Sequence, residues 1–139
     1  MISSLQIWVE TSYFKIEDGE DRETNPGRFG RSFANWVAER LKAYGEPVQQ
    51  VRGEDWGWCV LLAGKPYRLW VGCGNRAKRI DEWGAFVAAE PKILQRLFRS
   101  VDVHPVLERV ERHLDAIMHE VPRATAVWKE GGLGTPAFR

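Results

Sequence analysis

Residues 54–75, "EDWGWCVLLAGKPYRLWVGCGN", restrict what the chain can fold into more than any other stretch. Two runs of aromatic and aliphatic side chains flank Gly64-Lys65-Pro66, and apolar runs on either side of a short Gly/Pro break are the pattern of a β-hairpin. With a two-residue turn at Gly64-Lys65, Leu62 pairs with Tyr67, Val60 with Leu69, Trp58 with Val71 and Trp56 with Cys73. These eight side chains then share one face. Cys59, Leu61, Arg68 and Trp70 fall on the other. A three-residue turn would shift this register. The two cysteines point to opposite faces, whereas a disulfide needs converging Cβ vectors, so both are expected as free thiols.

Other elements follow from periodicity around the hairpin. In "SLQIWVETSYF", Leu5, Ile7 and Val9 alternate with Gln6, Trp8 and Glu10, which predicts a first strand with one buried face. "KIEDGEDRETNPG" is too polar and broken to pack and reads as an exposed loop. Asn25-Pro26 is a helix-start signal, and Phe29, Phe33, Trp36, Val37, Leu41 and Tyr44 recur at helical spacing up to a left-handed cap at Gly45. This predicts a helix over 26–44. "PVQQV" and "WGAFVAAE" read as strands and "PKILQRLFRS" as a short helix. Pro105 opens a longer helix that buries Leu107, Val110, Leu114, Ile117, Met118 and Val121 and ends at Pro122. "RATAVWKE" is the last strand. The expected fold is a single α+β domain over 1–130, a mostly antiparallel sheet of five to six strands with helices on one face, followed by a loose tail at 131–139.

Length and charge bound the function. A chain of 139 residues makes one domain that buries roughly two-thirds of its unfolded surface. Twenty Lys and Arg against nineteen Asp and Glu leave a net charge of +1, so no global field exists to hold a nucleic acid or an anionic membrane. The start, "MISSLQIWVE", lacks the basic and apolar regions of a secretory signal. The longest apolar run, "WGWCVLLAG", is about half of the ~20 residues a membrane-spanning helix needs. The expectation is a cytoplasmic protein without membrane contact. Two cysteines and three histidines in this spacing match no zinc-ligand pattern, and no metal or cofactor is expected.

Several side chains invite a chemical reading. Cys73, between two glycines and followed by Arg76, Lys78 and Arg79, has a basic setting of the kind that activates a thiol. It also falls on the core face, where a free Cys is a small hydrophobe. "GCGNRAKR" offers backbone N–H groups and positive charge for a phosphate, but the next segment reads as a strand rather than the helix such a loop should feed. His104, His113 and His119 stand on or beside the second long helix; Asp115 and His119 share its face at i,i+4, the spacing of an exposed pair. Tryptophans 56, 58, 70 and 83 suggest base stacking, but the Glu54-Asp55 carboxylates next to Trp56 would repel a phosphate backbone. Trp8 and Trp70, opposite the core faces of their strands, are the aromatic candidates for a partner surface. In "EDGEDRE", Glu17, Asp18, Glu20, Asp21 and Glu23 against Arg22 give a local charge of −4. Their spacing is not that of an EF-hand. Such a patch suits a protein that masks a basic site on a partner.

The helix "NPGRFGRSFANWVAERLKAYG", the strands "EDWGWCV" and "LWVGCGN" and the Trp-containing "EWGAFVAAE" together resemble a group of small bacterial α+β proteins similar to the immunity proteins encoded beside antibacterial toxins. The resemblance spans most of residues 5–130 and implies a binding protein with no catalytic residues. The leading expectation is therefore a cytoplasmic inhibitor that occludes a cognate protein, a toxin, through the acidic loop, Trp8 and Trp70. The alternatives are a small enzyme using Cys73 and a small-ligand sensor with a Trp-lined pocket.

Overall fold

The computed structural model describes residues 1–64, 67–91 and 102–131. Seven strands form one antiparallel sheet: β1 (Ile2–Ser3), β2 (Gln6–Glu10), β3 (Val48–Glu54), β4 (Gly57–Leu62), β5 (Tyr67–Asn75), β6 (Glu82–Pro91) and β7 (Ala126–Glu130), in the order β3-β4-β5-β6-β2-β7. The sheet has more strands than expected because β1 adds to β6 beside β2. The break between them lies at Ser4, whose hydroxyl accepts the Val87 N–H at 3.0 Å while its own N–H reaches the Val87 carbonyl. The α+β class is as the sequence indicates, with α1 (Arg31–Ala43) and α2 (His104–Met118) packed on one face.

That first face holds the main core. Ile7 and Val9 of β2, Trp58, Val60 and Leu62 of β4, and Leu69, Val71 and Cys73 of β5 meet Phe33, Val37 and Leu41 of α1 and Val110, Leu114 and Ile117 of α2. The period of two along each strand and of 3.6 along each helix converge on this layer. Leu5, expected to join it, is exposed. The hairpin pairs Trp58 with Cys73, Val60 with Val71 and Leu62 with Leu69, two residues from the expected register. Six residues rather than four lie between Leu62 and its partner, and Ala63 donates to the Pro47 carbonyl, continuing toward β3 rather than turning. A shift of two keeps every strand residue on its face, so Cys59 and Cys73 remain opposed, free and buried. Trp56 is different. It lies before β4 in the β3–β4 turn and packs against Trp70 and Phe86 on the other side of the sheet, not beside Cys73.

α1 begins five residues later than the Asn25-Pro26 signal suggests. Gly27 and Gly30 adopt positive φ (81° and 143°), which halts a helix until Arg31. At the other end the expected Gly45 cap forms: Gly45 is left-handed, its N–H reaches Lys42, and the Glu46 N–H reaches Leu41. Glu46 then ties the helices together. Its buried carboxylate accepts from Arg109 at 2.9 Å and faces His113 Nδ1 at 3.0 Å on α2. Beside it Glu120 takes Arg40 and the Tyr44 hydroxyl. Pro91, the expected start of a helix over 91–100, ends β6, and the rest of that helix (92–100) and the tail from 132 onward lie outside the described residues. No helix among the described residues is long and apolar enough to cross a membrane.

Candidate functional site

The second face of the sheet is a second small core rather than a solvent surface. Trp8 is 0% exposed and Trp70 8%, and with Cys59, Phe86 and Ala88 they form a buried cluster joined by Trp56, Leu61 and Trp128. This corrects the expectation that Trp8 and Trp70 present exposed rings. The parity was right, since both face away from the helices, but the rings lie down on the sheet instead of standing out from it. Glycines make this possible. A Cβ on Gly84, opposite Trp8, would stand 2.8 Å from the Trp8 indole, and one on Gly72 would stand 2.5 Å from the Phe86 ring. The Arg76 guanidinium covers Trp8 at 4.1 Å from the ring centroid and is itself held by Glu82 and Glu130.

At the β3 side this aromatic layer opens into a cavity of about 190 Å³. Trp56 and Trp70, centroids 5.5 Å apart, and Leu61 line it with the Cys59 thiol. Arg52 and Glu54, paired at 2.8 Å, stand on one side, and Arg68 and Glu90 on the other. Burial pushes the Cys59 thiol up to about 11, with Arg52 opposing the shift weakly. It is therefore a neutral wall of the cavity at physiological pH.

The acidic segment is folded, not a loose loop. Glu20 to Arg22 form a 3-10 turn, and the Glu20 side chain is buried at 1% exposure. One of its oxygens accepts the Glu17 N–H at 3.0 Å; the other accepts the N–H groups of Gly30 at 3.2 Å and Arg31 at 2.9 Å. Glu20 is thus the acceptor at the start of α1 that Asn25 was expected to supply. Asp21 accepts the Gly27 N–H, and Arg31 pairs with Glu17 and Glu23. The Glu23 carbonyl rests on Gly53, where a Cβ would come within 2.7 Å. Asp18 is exposed, and the side chains of Glu17 and Glu23 are 59% and 57% exposed. Of the five carboxylates, Glu20 is withdrawn from the surface and three others are fixed by named contacts.

The remaining candidates have packing or pairing roles. Cys73 is 0% exposed, and burial holds its thiol well above the usual value. Asn75, after the glycines, is buried: its amide oxygen accepts the Phe29 N–H and its nitrogen donates to Gly27 and Arg79. Arg76 pairs with Glu82 and Glu130, and Arg79 with Asp81 and Glu82, so the basic run is largely neutralised by neighbouring acids. The three histidines stay apart: His104 bonds Asp102, His113 bonds Glu46, and His119 faces the Asp115 carbonyl. Among the described residues no three His, Cys, Asp or Glu side chains converge as metal ligands would. Comparison with family models, with curated proteins and with solved structures finds no match to the chain.

Proposed function

We propose that the chain is a non-catalytic binding protein of the immunity type, which captures a cognate toxin in the cytoplasm and covers a basic site on it. The observation that supports this reading is the fixed acidic segment. Glu20 turns inward to hold backbone N–H groups and Asp21 takes the Gly27 N–H, which leaves Glu17, Asp18 and Glu23 exposed on a fixed base, with Glu17 and Glu23 positioned by Arg31. A pre-organised set of charges loses less freedom on association than a solvated loop does, and opposite charge speeds encounter. The reading built on Cys73 as a nucleophile has no support from its setting, because a fully buried thiol raised by desolvation supplies no thiolate at neutral pH. Trp8 and Trp70 drop out of the contact surface, since both are packed against the sheet.

The test is direct. The product of the adjacent gene is titrated into the chain by calorimetry and its toxicity measured with and without it; a 1:1 complex and protection are expected. Replacing Glu17 and Glu23 with Gln and Asp18 with Asn should slow association. If the adjacent product neither binds nor is neutralised, the reading is wrong.

A further inference from the structure

Facing charges on this molecule generally close on each other. Arg76 meets Glu82 and Glu130, Arg79 meets Asp81, Arg109 meets Glu46, and Arg52 meets Glu54. Arg68 and Glu90 do not. They are direct cross-strand partners on β5 and β6, yet they make no ion pair or hydrogen bond with each other or with another described residue. Opposed residues on adjacent strands are neighbours and an opposite-charge pair there is favourable, so this rim carries two charges of opposite sign that do not close on each other. Beside this rim the cavity has an apolar wall. Trp70 is the next same-face residue after Arg68 on β5, Leu61 lies across from it, and Trp56 closes the layer at 5.5 Å from Trp70.

We infer that this cavity is a binding site for a small zwitterion of the α-amino acid class with an apolar side chain, its carboxylate on Arg68, its ammonium on Glu90 and its side chain against Trp70, Trp56 and Leu61. The volume fits this class. At about 190 Å³ the cavity is smaller than the ~300 Å³ where pockets for drug-sized ligands begin. The charge pattern fits as well. Arg52 is committed to Glu54 at 2.8 Å, so among the described residues the free rim carries one charge of each sign. A plain cation or anion would satisfy one of these and face the other; a zwitterion answers both. The neutral Cys59 thiol adds no competing charge to the wall. The site is separate from the acidic segment and stands or falls independently of the toxin-binding reading.

The experiment follows tryptophan fluorescence and calorimetric heat while the full chain is titrated with leucine or phenylalanine, and then with leucinamide, N-acetyl-leucine and N-acetyl-leucinamide. Saturable one-site binding of an amino acid is expected, weaker by about tenfold or more for each analogue that lacks a charge, the size of one charge-assisted contact. Arg68→Gln should abolish the preference for leucine over leucinamide, and Glu90→Gln the preference over N-acetyl-leucine. Both residues reach the surface, so unchanged near-ultraviolet dichroism will verify that the variants fold. Two results would overturn the inference: no saturation by either amino acid up to about 10 mM, or equal binding of leucine and N-acetyl-leucinamide, which would mark an apolar socket without charge recognition.

Discussion

Glu20 carries more of the fold than its place in an acidic run suggests. Its two oxygens serve three backbone N–H groups, two of them at the start of α1. Glu20→Gln keeps the shape but turns one oxygen into a donor that meets N–H groups and removes a negative charge from the helix N-terminus. The expected cost is about 1.5–3 kcal/mol, read as a lower urea midpoint at unchanged slope. A midpoint equal to wild type would mean that the carboxylate is not the helix cap. The thiols make a second residue-scale prediction. In the unfolded chain they lose protons near their ordinary value of about 8.5, whereas burial pushes Cys59 in the fold up to about 11 and Cys73 also upward. Between those values the folded chain binds more protons than the unfolded one. Stability from this source is therefore complete below about pH 8.5 and falls as pH rises through about 11, at up to about 1.4 kcal/mol per pH unit for each thiol. Urea midpoints between pH 7 and 10 should show a shallower alkaline decline for the Cys59→Ala, Cys73→Ala double variant. Parallel declines would remove the thiols as its source.

Strands β4 to β6 explain both what could be read and what could not. Face parity was legible because a shift of two leaves it intact, so Trp58, Val60 and Cys73 were correctly assigned to the core even though the turn length was not. The covered second face was harder to see. Its signal lies in unbroken apolar runs, which mark strands buried on both sides, and in glycines within them, Gly72 and Gly84, that make room for rings arriving from neighbouring strands. Such a ring comes from β2 or β6, at a sequence distance periodicity does not reach. The start of α1 was hidden for a similar reason: its acceptor, Glu20, is ten residues before Gly30 and outside any local capping pattern. Two substitutions test this layer. Gly84→Ala places a Cβ 2.8 Å from the Trp8 indole and should cost about 1–3 kcal/mol as overpacking. Trp70→Ala should cost about 3–5 kcal/mol, comparable with Trp58→Ala, because both are buried. If chemical denaturation finds Trp70→Ala near neutral, the second core contributes little to stability.

Across the whole molecule the acidic segment, α1 and the end of β3 behave as one body: Glu20 holds the helix start, Asn25 donates to the Asp55 carbonyl, and Glu23 rests on Gly53. The outward carboxylates then act at a distance. With Glu17→Gln, Asp18→Asn and Glu23→Gln, association with a basic partner should slow several-fold at low salt and converge with wild type as salt shortens the Debye length below about 8 Å. Identical rates at every salt concentration would take these charges out of the encounter. The seat on Gly53 also sets a lifetime. Arg22 is exposed, and its peptide bond to Glu23 would suit trypsin in an unfolded chain. Here that bond lies in a turn closed by Gly19 and Glu20 carbonyls and clamped on both sides, while a protease needs an extended strand of substrate. Cleavage after Arg22 must therefore wait for the segment to lift from the sheet, so its rate reports how often the segment opens.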